Sequence, residues 1–134
     1  EKASFLKENI LPIQESGQLK FVETEDSLFT KNYNVRFVFG HTDAMMLPLI
    51  SYKGKKILYM ADLLPSVGHL PLPYVMAYDM FPLKTLNEKK IFLNEALENE
   101  YILYFEHDPA NECCTLQQTE KGIRVKETFK LSEL

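Results

Sequence analysis

Met45-Met46-Leu47-Pro48-Leu49-Ile50-Ser51-Tyr52-Lys53-Gly54-Lys55-Lys56-Ile57-Leu58-Tyr59-Met60-Ala61-Asp62 reads as two strands, over 45–52 and 55–60, folded back on each other at Lys53-Gly54. Glycine at a turn position between two apolar runs is a hairpin signal. The second strand runs out into Asp62. A carboxylate between Tyr59-Met60-Ala61 and Leu63-Leu64 needs a partner, because an unpaired charge among apolar neighbours is costly. A turn, a lysine or a metal ion would each serve.

Upstream of the hairpin, residues 34–39 alternate Val35, Phe37 and Phe39 with Arg36 and Val38, predicting a strand that Gly40 breaks just before His41. Residues 18–23 predict another strand, and residues 2–9 a short helix stopped by Pro12. Downstream, residues 63–73 are a loop broken by Pro65, Gly68, Pro71 and Pro73, and this loop carries His69. Thr85 followed by Glu88 is a capping box, predicting a helix through about Glu100 with Leu86, Ile91, Phe92, Ala96 and Leu97 on its apolar face. Residues 101–105 predict a buried strand ending at Glu106-His107-Asp108-Pro109, and residues 114–118 and 122–128 a closing antiparallel pair. That order describes a single α/β (α+β) domain, a sheet with helices on one face.

At 134 residues the chain suits one core, and 46% hydrophobic with 25% charged residues is ordinary globular composition. A net charge of -4, with cations scattered as Lys53, Lys55, Lys56, Lys89 and Lys90, provides no basic stripe and argues against nucleic acid. Apolar runs such as Met45 to Ile50 are far shorter than the ~20 residues of a membrane span, and no secretory pattern opens the chain, so a soluble, cytoplasmic protein is expected. The adjacent Cys113 and Cys114 point to opposite faces of a strand and are expected to be reduced, half-buried structural residues.

His41, Asp62 and His107 each fall where a predicted strand ends. Imidazole nitrogens and a carboxylate are the ligand set of borderline divalent ions, and strand ends let a sheet converge residues distant in sequence. Singly, each histidine is read more simply as a hydrogen-bonded loop residue, and Asp108 before proline as a turn former. A serine-based site is not supported: no Gly-x-Ser-x-Gly occurs, and Ser51 and Ser66 lie in no strand-to-helix elbow. Glycine-rich phosphate loops are missing too.

Phe39-Gly40-His41-Thr42, Tyr59-Met60-Ala61-Asp62-Leu63-Leu64 and Phe105-Glu106-His107-Asp108-Pro109, in that order, resemble the last three signature blocks of metallo-β-lactamase-fold hydrolases. The resemblance covers the chain from about Lys20 onward. It implies half of an αββα sandwich, a mixed sheet with covering helices, with 1–134 as the C-terminal half of the domain. It also implies that His41 and His107 each bind one metal and that Asp62 bridges two. The metals would be zinc, or else manganese or iron, and a metal-activated water would hydrolyse an ester, lactone, lactam or phosphoester. His69, beyond Asp62, is placed to line the substrate pocket or to protonate a leaving group. Tyr74 and Tyr78 are expected to pack that loop against the sheet.

Two departures stand out. The first block continues as Asp43-Ala44-Met45 where the family commonly has Pro-Gly-His. The family's His-x-His-x-Asp-His segment is also absent, so the partner half is expected to precede Glu1, and these residues alone are expected to be inactive. The rival expectation is a non-catalytic metal-binding or interaction module, associating, for instance as a homodimer, through its exposed sheet face.

Overall fold

A computed structural model of the chain describes residues 6–23 and 30–134. Six strands, β1 (Tyr33–Val38), β2 (Met45–Tyr52), β3 (Lys55–Tyr59), β4 (Ile102–Tyr104), β5 (Cys113–Thr119) and β6 (Gly122–Phe129), form one sheet in chain order. All neighbours are antiparallel except β3 and β4, which run parallel because helix α2 (Pro82–Glu98) crosses over between them. The sheet is therefore mixed and the fold α+β, as the sequence predicts. Lys53 and Gly54 both take left-handed backbone, with φ of 48° and 75°, which matches the hairpin turn to the right-handed twist of β2 and β3.

Alternation along the strands divides two apolar clusters between the faces of the sheet. Under α2 lie Val38, Leu47, Leu49, Leu58, Leu103 and Cys114, packed against Phe92, Leu93 and Ala96 of the helix. On the other face Ile57, Ile102 and Cys113 gather Ile50, Tyr104 and Phe129, with Leu131 and Leu134 of the C-terminal turn. There Tyr59 stacks on Tyr104 with ring centroids 5.6 Å apart, while Tyr52 remains largely exposed. Both cysteines are free and completely buried, more so than expected, and burial pushes their thiols up to about 11 for Cys113 and about 12 for Cys114. Neither supplies thiolate at neutral pH.

Local signals misplace four features. Residues 2–5 of the expected first helix lie outside the described residues, and helix α1 spans Lys7–Glu15 with Pro12 inside it. Every residue of α1 is exposed, so the carbonyl that Pro12 leaves without its N–H donor is open to solvent. Residues 18–23 form no strand: Phe21 is 78% exposed, and alternation without a paired neighbour does not make a ladder. Helix α2 begins at Pro82, whose fixed φ suits a first helical position, so Thr85 is buried in the first turn and does not cap the helix. Its inward stripe is Thr85, Lys89, Phe92, Leu93 and Ala96, and Ile91 faces solvent. Among the described residues no helix is long and apolar enough to cross a membrane.

Candidate metal centre

Strands β1, β3 and β4 run in one direction, because β2 is antiparallel to both β1 and β3, and β4 is parallel to β3. Their C-terminal ends therefore share one edge of the sheet. His41, Asp62 and His107 each sit three residues beyond such an end, at Val38, Tyr59 and Tyr104. The parallel pair continues past β3 through the Met60 N–H, which donates to the Tyr104 carbonyl at 3.0 Å. Ala61 then takes a left-handed φ of 42°, a strained value for alanine, and opens the single 3-10 turn that presents Asp62.

The three side chains meet. His41 Nε2 lies 3.5 Å from Asp62 Oδ2, and His107 Nε2 lies 3.2 Å from Asp62 Oδ1, so each ring addresses a different oxygen of one carboxylate. Among the described residues no three His, Cys, Asp or Glu side chains are grouped to hold one ion by themselves. The spacing nevertheless fits ligand chemistry, since two donors each ~2.1 Å from a tetrahedral ion lie ~3.4 Å apart. His41 is mostly enclosed, Asp62 is about one-third exposed and His107 about half exposed, so the open side is that of His107.

The loop that carries His41 is held from both sides by residues around α2. Phe39 and Gly40 donate their N–H groups to the Glu88 carboxylate at 2.8 and 3.0 Å. The Phe81 and Met80 N–H groups donate back to the carbonyls of Gly40 and His41 at 2.8 and 3.1 Å. Glu88, read from sequence as half of a capping box, instead binds the backbone of a distant loop. Asp79 Oδ1 lies 2.8 Å from His41 Nδ1, within hydrogen-bond distance, and the exposed Tyr78 sets its ring edge-on to the imidazole.

Gly40 is where this assembly tolerates no side chain. A Cβ there would lie 2.3 Å from the Thr85 backbone nitrogen and 2.5 Å from its Cα, atoms that helix α2 fixes in place. Gly40→Ala is therefore expected to destabilise the fold by about 3 kcal/mol, the upper range for overpacking. Urea denaturation would measure this, and an unchanged midpoint would mean that the start of α2 yields freely.

The segment between Asp62 and α2 is braced by buried charge. Lys89, counted among scattered cations from sequence, is fully buried and donates to the carbonyls of Pro71, Leu72 and Tyr74 at 2.7, 3.3 and 2.8 Å. Burial pulls its ammonium down to about 8, while the Asp79 carboxylate works in the opposite direction. Tyr74 and Tyr78 are 60% and 74% exposed, so it is Lys89 and not tyrosine packing that docks the loop. Asp108 is the turn former its sequence suggests, accepting from the Ala110 and Asn111 N–H groups. It also accepts from the Val67 N–H, tying the His107 loop to the Asp62 loop. Burial alone would raise its carboxyl, but the hydrogen bonds from Ala110, Val67 and Asn111 hold it below the usual range.

His69 does not join the trio. Its Nδ1 lies 2.8 Å from Ser66 Oγ, within one 3-10 turn. It shares with His107 a shallow cleft of about 360 Å³, lined also by Pro65, Val75, Met76 and Tyr78. Asp79, Glu88 and Lys89 were not identified as functional from sequence. The one local signal was Lys89, which falls four residues from both Thr85 and Leu93 on the inward stripe of α2.

No protein-family model matches the sequence, and no curated protein matches it. Solved structures do match. A probable metal-dependent hydrolase from Staphylococcus aureus aligns at 21% identity and TM-score 0.74, over 89% of this chain and 42% of that one. AidC, a dizinc quorum-quenching lactonase in complex with a product, aligns at 21% identity and TM-score 0.73, over 90% and 42%. The hydrolase AbOPH of the beta lactamase superfamily aligns at 20% identity and TM-score 0.75, over 92% and 43%. This chain thus spans about two-fifths of the length of the structures it matches, and its sheet and helices have the fold of half of a metallo-β-lactamase sandwich.

Proposed function

We propose that the chain forms one side of a two-metal hydrolytic centre, in which Asp62 bridges two divalent ions while His41 and His107 bind one each. The observation that carries this reading is the pair of imidazole nitrogens set against opposite oxygens of one carboxylate. The fold, shared with metal-dependent hydrolases and a dizinc lactonase, supports it. When bound, such ions supply a water activated at neutral pH and polarise the scissile carbonyl or phosphoryl group.

The chain's own residues then have distinct tasks. Asp62 holds the two positions together, and His41 holds its own in an enclosed, hydrogen-bonded loop. His107, on the exposed side, borders the cleft in which a small-molecule ester, lactone, lactam or phosphoester would lie. His69, in the same cleft and within hydrogen-bond distance of Ser66, would give a proton to the leaving group. The remaining ligands would come from a partner half of the sandwich, which would also cover the apolar face bearing Ile50, Tyr52, Tyr59 and Tyr104. Zinc suits the donor set, and manganese and iron also accept it.

That half-open apolar face favours a second reading, an association module that pairs with another copy. Metal dependence separates the two readings. The full-length protein is expected to bind divalent metal, to lose hydrolysis of a lactone, ester and phosphoester panel on treatment with chelator, and to regain it with zinc. A protein that takes up no divalent metal, or that turns over after stripping, overturns the hydrolase reading.

A further inference from the structure

We propose that Asp79 is the positioning residue of His41, its carboxylate holding the imidazole as the Nδ1–H tautomer and so leaving Nε2 as the lone-pair atom turned toward Asp62. The inference deepens the two-metal reading and rests on it for its consequence, though the tautomer itself exists without metal.

An ionised carboxylate only accepts hydrogen bonds, so the 2.8 Å contact between Asp79 Oδ1 and His41 Nδ1 requires the proton on Nδ1. Asp79 is an unusual residue to bury for packing alone. Its side chain has no exposed surface, and its second oxygen, Oδ2, has no hydrogen-bond partner among the described residues. A carboxylate in that state costs stability unless a charge-assisted bond and a nearby cation offset the cost. The bond is the one to His41, and the cation is Lys89, also fully buried and close enough for their charges to act on each other.

The grip has two points. Asp79 holds the ring, and the next residue, Met80, donates its N–H to the His41 carbonyl. With Nδ1 committed, a neutral His41 turns its lone pair toward Asp62 Oδ2 at 3.5 Å, two acceptors facing each other. A shared divalent cation would offset that repulsion, with His41 Nε2 and Asp62 Oδ2 as the residues' donor atoms. Carboxylates that fix the ring of a metal-binding histidine in this way raise its basicity as a ligand.

The test uses Asp79→Asn, which keeps shape but allows the amide to donate to Nδ1. In metal-free, 15N-labelled full-length protein, His41 is expected as the Nδ1–H tautomer, and Asp79→Asn is expected to shift it toward Nε2–H. The zinc Kd of the variant should rise by about 10–100-fold. An Asn variant that keeps the Nδ1–H tautomer overturns the inference whatever its zinc affinity. If the variant fails to fold, the wild type decides alone, since a predominantly Nε2–H His41 also overturns it. A wild type with the expected tautomer that takes up no zinc leaves Asp79 its positioning role and instead removes the two-metal reading.

Discussion

On the proposed two-metal reading, Asp62→Ala is expected to abolish hydrolysis by the full-length protein and to lower its bound metal from two ions to one or none, with little change in folding stability. Activation of water and polarisation of the substrate by metal are worth several kcal/mol of transition-state stabilisation, so kcat/KM should fall by roughly 10³-fold or more. The small effect on stability follows from position: Asp62 is about one-third exposed, on a turn beside two histidines, and no core packing depends on it. Asp62→Asn separates charge from shape, because it keeps one carbonyl oxygen and removes the second anionic donor. It should retain at most one ion. Metal analysis with steady-state kinetics checks both variants, and unchanged metal content with unchanged kcat/KM after Asp62→Ala would rule out a bridging role.

Lys89→Met is expected to cost about 2–3 kcal/mol of stability at pH 7. Methionine fills the lysine's volume but leaves the carbonyls of Leu72 and Tyr74 without their donor, while Pro71 keeps the Tyr74 N–H. It also strips Asp79 of its nearby cation. Relief of the desolvation that holds Lys89 near 8 offsets part of the loss and keeps the net cost moderate. An unfolding free energy from urea denaturation within about 0.5 kcal/mol of wild type would mean that water replaces the ammonium at little cost.

The same lysine predicts a pH dependence. Folding lowers its pKa from 10.5 to about 8, so above pH 8 the unfolded chain holds more protons and the folded state gains stability as pH rises. Cys113 and Cys114 act in the opposite sense, because burial raises their thiols from 9.0 to about 11 and about 12, so their contribution falls as pH rises past 9. Wild type and Lys89→Met both carry the cysteines, so between pH 8 and 9 the difference between the two proteins reports the lysine alone. In that window wild type should gain stability relative to Lys89→Met, and parallel pH profiles would contradict the assignment.

How much of the site is legible in sequence depends on the range of the interaction. The β2–β3 hairpin is local: Lys53-Gly54 between two apolar runs carries its own turn, and the structure places β2 at the predicted residues. The positions of His41, Asp62 and His107 follow from the same signals, because Gly40, the end of an apolar run, and Asp108-Pro109 each mark where a strand stops. The Thr85-Glu88 pair shows the limit. Its spacing is that of a capping box, but Pro82 starts the helix earlier, and the freed Glu88 carboxylate binds N–H groups 48 and 49 residues away. Residues 18–23 fail for a related reason, since strand periodicity without a partner strand specifies no hydrogen bonds.

Sequence alone thus determined most of the punctuated strands and the three residues at their ends, because turn chemistry and side-chain alternation act over a few residues. Only the tertiary structure decided that these three meet, that Asp79 across 38 residues holds the ring of His41, and that Lys89 is a buried brace. The physical reason is that a charged side chain's role is set by what surrounds it. A lysine or an aspartate reads identically in sequence whether water or three carbonyls and a histidine await it in the fold.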